Sequence, residues 1–333
     1  MHTAAIALLC LPFAPAESPR SLQKLYVANS AGDDLHVIDT ATNKVIKRVE
    51  VGQQPHGLVS TANGDRIFIT IENTAGDEGE LLWFDPYTDT VVRRMKIGPR
   101  PNQLACTPDG KIVYVPCDDS SWWVIDTVKG AVLTKIPTGG RPHNTLCSPD
   151  GKLMYLGPKG SYHVLIANVG SHRLVGEIPV SDAPRPLALT KDGKRLYANV
   201  DTLIGFEIAD TDQRRVIRRV EAVVPEEVLR TASRSHGIGL RPDERELWMC
   251  DVYHDRTYVF DVTVDPPKQI ATLVMKGGGY WLCFSPDGKK CYISERIGDA
   301  VAVIDTATKE IVARIAVGKA PKRNLVLTLQ DRK

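Results

Sequence analysis

Seven residues stand at one phase of a repeated pattern, and their types could do chemistry: His56, Asn102, His143, Arg185, His236, Tyr280 and Arg323. Each opens an apolar run. In the copies from Asn102, His143, Arg185, His236 and Tyr280 an Asp follows seven residues on, at Asp109, Asp150, Asp192, Asp243 and Asp287. The copy at Arg323 breaks off at Gln330. Three imidazoles, two guanidiniums, an amide and a phenol form an unusual set for positions that apolar residues could fill. Three chemistries would use them. Arg185 and Arg323 offer bidentate forks to a carboxylate or other anion, with Asn102 and the histidines as neutral donors. His56, His143 and His236 could ligate a divalent metal if the space they share admits metal–nitrogen bonds of about 2.0–2.1 Å. In a catalytic reading His143, His236 or Tyr280 serves as base while an arginine neutralises a substrate carboxylate, as a carbohydrate lyase or a lactone hydrolase requires. The plainer alternative for each histidine is a turn-capping bond to neighbouring backbone.

The elements that must position these residues follow from the repeat. Self-similarity at this period marks a repeat architecture. Thr107-Pro108-Asp109-Gly110, Ser148-Pro149-Asp150-Gly151 and Ser285-Pro286-Asp287-Gly288 read as tight turns, with Pro presetting φ and Gly taking the left-handed conformation. Short strands alternate with such turns along the chain. Trp123-Val124-Ile125-Asp126-Thr127 and Ala302-Val303-Ile304-Asp305-Thr306 repeat a third strand whose Asp is placed to accept bonds from the following turn. The opening residues supply three strands, Leu25–Asn29, Asp34–Thr40 and Val45–Val51, and the final copy supplies one. Joined, they complete a four-stranded unit and leave no open sheet edge. The expected fold is all-β: a seven-bladed propeller of four-stranded antiparallel blades, with the seven chemical residues gathered at one mouth of the axial channel.

Tyr26-Val27-Ala28-Asn29, the Val-Ile-Asp-Thr strands, the Val51–Gly57 turn and the Ser-Pro-Asp-Gly turns together resemble the YVTN family of β-propellers. The resemblance spans nearly the whole chain beyond its first residues. It implies the propeller fold, an exported protein and a binding or interaction role more often than a defined reaction. It is silent about chemistry, because its motifs are turn and strand signals.

Composition narrows the partners. The 333 residues carry a formal net charge of +2, and aromatic residues make up 6%. Neither a strong field nor a long stacking platform favours nucleic acid. Ala4–Phe13 is an apolar run followed by Ala14-Pro15-Ala16, which reads as a signal peptide over residues 1–16 and predicts a periplasmic or secreted protein, with residues 17–333 as a single domain. The run is too short for a transmembrane helix. The remaining cysteines, Cys106, Cys117, Cys147, Cys250, Cys283 and Cys291, lack metal-type spacing and read as packing residues, although Cys283 and Cys291 flank one turn.

Two irregularities point to the same mouth. The interval from Arg185 to His236 is the longest between copies, and its excess, Val223–Ser233, reads as a short helical turn starting at Pro225. The next copy carries Cys250-Asp251-Val252-Tyr253-His254-Asp255-Arg256 in its second-to-third loop, which adds Asp251 and His254 to the candidate ligand-binding set. His163, His172, His36 and Trp122-Trp123 read as packing or turn residues. The expected role is binding of a small or extended polar, anionic ligand, or of an exported protein partner, at the channel-mouth face of a monomer. The alternatives are the lyase or lactone hydrolase above, and a periplasmic partner of a redox quinoprotein.

Overall fold

The computed structural model describes residues 22–226 and 235–330. The proposed signal segment and most of the blade-four insertion lie outside the described residues. Seven four-stranded antiparallel sheets form the chain, each following the order inner to outer. In the first blade the strands are Pro55–Ser60, Ile67–Ile71, Gly79–Asp85 and Thr90–Ile97. Blades two to six begin with inner strands Ala105–Cys106, Arg141–Cys147, Pro184–Leu189, Ser235–Leu240 and Gly279–Phe284. The seventh is the composite the repeats call for. Its inner strand, Pro321–Leu329, pairs with Leu22–Asn29, which continues into Asp34–Asp39 and Lys44–Glu50.

The turns behave as their residue types dictate. Gly110, Gly151 and Gly288 adopt φ of 69°, 71° and 69°. Asp109 Oδ1 accepts from Thr107 Oγ1 at 2.7 Å and from the Lys111 amide at 3.1 Å. Third-strand aspartates do the same for the next turn: Asp126 Oδ1 accepts from the Val128 and Lys129 amides, and Asp305 Oδ1 from those of Ala307 and Thr308. These bonds close the hairpin turns within each blade.

The core is divided among the blade interfaces. Seven clusters of buried side chains lie between successive sheets, from Tyr26, Leu58 and Phe84 between blades seven and one to Leu25, Val301 and Val303 between six and seven. Trp122 belongs to one of them, fully buried, and donates to Thr145 Oγ1 of the next blade at 2.8 Å. All six described cysteines are free, including Cys283 and Cys291. Among the described residues no helix is long and apolar enough to cross a membrane.

One irregularity of the sheets positions the site. In six blades the inner strand changes register against its neighbour near its start, at Pro55/Leu58, Arg141/Asn144, Pro184/Leu187, Ser235/Ile238, Gly279/Trp281 and opposite Ala28/Asn29. A bulge frees a residue from the ladder and re-aims its side chain. The freed residues include His56, His143, Arg185, His236 and Tyr280.

Candidate functional site at the channel mouth

Register fixes which residues are equivalent around the axis. Trp281 opposes Ser294 as Arg323 opposes Ala28, so Tyr280 matches Lys322 and Trp281 matches Arg323. The upper tier is therefore His56, Asn102, His143, Arg185, His236, Tyr280 and Lys322. Arg323 lies one tier further in, level with Gln103, Asn144 and Trp281. This corrects the expectation that Arg323 takes the seventh upper seat. The last copy lacks the tight turn that sets the phase in the others, and counting without it slips by one.

The glycines in the second tier exist to let inner strands converge. A Cβ on Gly237 would sit 2.8 Å from Trp281 Cα and 2.9 Å from Tyr280 O, and one on Gly57 would sit 2.7 Å from Asn102 O. Both contacts are to backbone, which cannot yield cheaply.

The upper tier divides into two groups. Towards blades three to six a cavity of about 200 Å³ is lined by His143, Lys159, Arg185, His236, Val252, Tyr253, Tyr280 and Arg296. Three of these are cations and none is a carboxylate. Arg185 is buried, and its Nε donates to Asp201 Oδ1 at 2.5 Å, which orients the guanidinium. The His236 and Tyr280 rings stack with centroids 3.9 Å apart, and His143 stands edge-on to His236 at 6.4 Å. Arg296 lies over the Tyr280 ring at 5.7 Å. Burial, and then the charge of Arg323, pushes His236 well below the ordinary histidine range, while burial and Lys159 do so for His143. Both imidazoles are neutral. Burial also raises the Tyr280 phenol, which stays protonated.

Hydrogen-bond partners settle the tautomers. Arg323 Nη2 donates to Asn144 Oδ1 at 3.3 Å, which turns the Asn144 amide nitrogen toward His143 Nδ1. His143 Nδ1 therefore accepts, and Nε2 carries the proton.

On the other side, His56 is buried and its Nδ1 contacts Glu72 Oε1. Lys322 Nζ stands 3.8 Å from Glu72 Oε2 and 3.5 Å from His56 Nδ1. Burial and Lys322 push the His56 pKa down to about 3. Burial alone would raise Glu72, but His56, Lys322 and Arg100 together pull its carboxyl below the usual range. An ionised carboxylate only accepts, so His56 Nδ1 donates and Nε2 is left as a buried acceptor with no partner among the described residues.

The remaining sequence candidates fall outside the cavity. Asn102 Oδ1 accepts from the Gln103 amide at 3.0 Å, a local bond of the plainer kind. Asp251 is fully buried and its Oδ2 bonds His254 Nδ1 at 2.7 Å. The pair holds the loop that carries Val252 and Tyr253 into the lining, rather than lining it. The three histidines do not converge on one point, and no three His, Cys, Asp or Glu among the described residues are placed to hold a metal ion. His172 takes Tyr114 Oη at 3.0 Å and His163 lies 3.7 Å from Glu177, as expected of packing residues.

Lys159, Asp201, Glu72 and Arg296 were not legible as site residues. They sit where second strands end and turn toward the third, and only antiparallel pairing carries those ends back to the mouth. A wider depression of about 610 Å³ between blades two and three lies at the far end of the inner strands, over the Thr107–Gly110 turn. Its charges pair locally, Lys111 with Asp109 and Lys129 with Asp126.

No family model and no curated protein matches the chain. Solved structures do. The chain superposes on the Pseudomonas aeruginosa periplasmic gluconolactonase with a TM-score of 0.77 at 18% identity, covering 93% of this chain and 100% of that one. A putative 6-phosphogluconolactonase from Bacteroides fragilis gives 0.73 at 19% identity, covering 94% and 100%. Hydrazine synthase of Kuenenia stuttgartiensis gives 0.71 at 21%, covering 83% and 95%. This chain shares their fold. At such identities the likeness speaks for architecture alone.

Proposed function

We propose that the protein is an exported, monomeric propeller of the YVTN type that binds a small carboxylate-bearing ligand in the channel-mouth cavity. The observation that carries this reading is the lining of Lys159, Arg185 and Arg296 with no carboxylate among them. Neutral His143 adds an Nε2–H donor, and Tyr280 adds a protonated phenol. In a recess of low dielectric such donors favour an anion more than they would in water. Two fold neighbours, the periplasmic gluconolactonase and the putative 6-phosphogluconolactonase, direct the choice of probes to aldonates.

Calorimetric titration with D-gluconate and with neutral glucose tests it. Gluconate should bind and glucose should not, and Arg185→Gln or Arg296→Gln should weaken gluconate by about tenfold. Equal binding of the two sugars, or unchanged gluconate binding in both variants, overturns the reading. A lactone-hydrolase reading rests on the same cavity, where the His143 Nε2–H and the arginines could stabilise an oxyanion. Proton release from glucono-δ-lactone separates the two. On the binding reading the rate with the protein equals the uncatalysed one.

A further inference from the structure

Resting on that anion-binding reading, we propose that the site continues one tier down the axis and there selects an α-hydroxy acid, with Arg323 holding the carboxylate and His56 Nε2 accepting a hydrogen bond from the adjacent hydroxyl. Arg323 is fully buried, and Trp281 covers one face of its guanidinium at 3.5 Å. Only its edges are left to make hydrogen bonds. Asn144 engages Nη2, while Nε and Nη1 have no partner among the described residues. Nη2 carries one hydrogen on the edge shared with Nε and one on the edge shared with Nη1. Asn144 uses one of them, so a complete two-hydrogen edge of the fork remains, which is the shape that a carboxylate fits.

No carboxylate among the described residues fills that edge. Glu72 is near enough to act on Arg323, but its oxygens serve His56 and Lys322. A buried guanidinium with unmade bonds is costly, and a bound anion removes the cost. Beside it, on the next blade, His56 has the opposite need. Glu72 fixes the proton on Nδ1, which leaves Nε2 a buried acceptor awaiting a donor. Lys322 touches His56, and the charge of Arg323 acts on the same ring, so the two orphaned groups share one part of the channel. A ligand that accepts twice and donates once from neighbouring carbons satisfies both. Carboxylate with an α-hydroxyl is the smallest group that does so.

Titration of the whole protein with glycolate and acetate, which differ in that hydroxyl, tests the proposal. Glycolate should bind at least about fivefold tighter than acetate. His56→Phe should collapse that ratio toward one. Arg323→Lys, which keeps the charge and loses the fork, should weaken glycolate by about tenfold or more. Equal binding of the two acids to the native protein, or undiminished glycolate binding in Arg323→Lys, overturns the proposal. Should that variant fail to fold, the arginine Nε–H resonances of the native protein decide. Glycolate must shift the one most protected from exchange, and a spectrum without that shift overturns the proposal. Glycolate binding lost with Arg185→Gln and Arg296→Gln but kept with Arg323→Lys would leave the upper cavity standing and remove the lower tier. Absence of all carboxylate binding would remove both.

Discussion

Three imidazoles buried at the axis make the protein's stability depend on pH in a particular direction. His56, His143 and His236 all have pKa values pushed below 6.5, chiefly by burial, and His56 reaches about 3. In the unfolded chain they return to about 6.5. Below that pH the unfolded state takes up protons that the fold refuses, so stability is full above about 6.5 and falls as pH drops toward 3. Each histidine contributes roughly 1 kcal/mol per pH unit in that window. His36 and His172 shift the same way, also through burial. Urea midpoints at pH 7.5 and 5.5 should differ markedly, and His143→Gln should reduce the difference even though it lowers the midpoint at both. A flat profile between those pH values would mean that the rings are charged or wet. The acidic side of the site acts later, since the depressed Glu72 loses its contribution only below its own unfolded value near 4.5. At this scale His143, Arg185, His236 and Tyr280 were legible in the sequence, because an Asp seven residues on gave their phase. Arg296 and Lys159 follow no such mark, and nothing in the chain distinguishes them from solvated surface cations until the second strands are paired.

The inner strand is the element that converts phase into geometry. In six blades its bulge turns a side chain toward the axis, and the following residue sets how closely the next strand can approach. Where that residue is Gly237, the neighbouring backbone of Tyr280 and Trp281 lies within 3 Å of the space a Cβ would fill. Gly237→Ala should therefore push blade six away, cost about 2–4 kcal/mol and disturb the stack of His236 on Tyr280. Thermal melting reads the first effect and the gluconate titration reads the second. A variant with native melting and native binding would show that the strands have slack. Gly139, with nothing near its Cβ position, is the matched control and should tolerate Ala. Strand positions were legible to within three residues from turn chemistry, from Thr90–Ile97, which matches at both ends, to the first strand, which starts at Leu22 rather than Leu25. Bulges were not, because they arise from the pairing of two strands and leave no residue signature in either. The shift from Arg323 to Lys322 in the last blade has the same origin.

For the molecule as a whole, the seventh blade is the weak link of covalent order. Six blades are continuous in sequence, but this one joins Pro321–Leu329 to Leu22–Asn29 by strand pairing alone. Burial of Lys24 against Asp89 at 2.7 Å, and of Tyr26 Oη against the same carboxylate at 3.0 Å, ties the early strands to blade one. Opening of the ring should then begin at the pairing between the ends. Gln23 and Thr328 are register partners there, half-buried, with Gln23 Nε2 donating to Thr328 Oγ1 at 3.4 Å across a sequence separation of 305. Cysteines at both positions would form a disulfide that closes nearly the entire chain. Constraining so long a loop in the unfolded state is worth about 3–5 kcal/mol, and the bond also blocks the opening step. The oxidised double variant should unfold at a higher denaturant concentration and more slowly than the same protein reduced, with the new bond confirmed by peptide mass. The six described native cysteines are buried or half-buried and stay out of the comparison while the ring is closed. If oxidation leaves both midpoint and unfolding rate unchanged, the closing blade is not where the ring yields. The seven inter-blade clusters would then have to be ranked one by one for the interface that does.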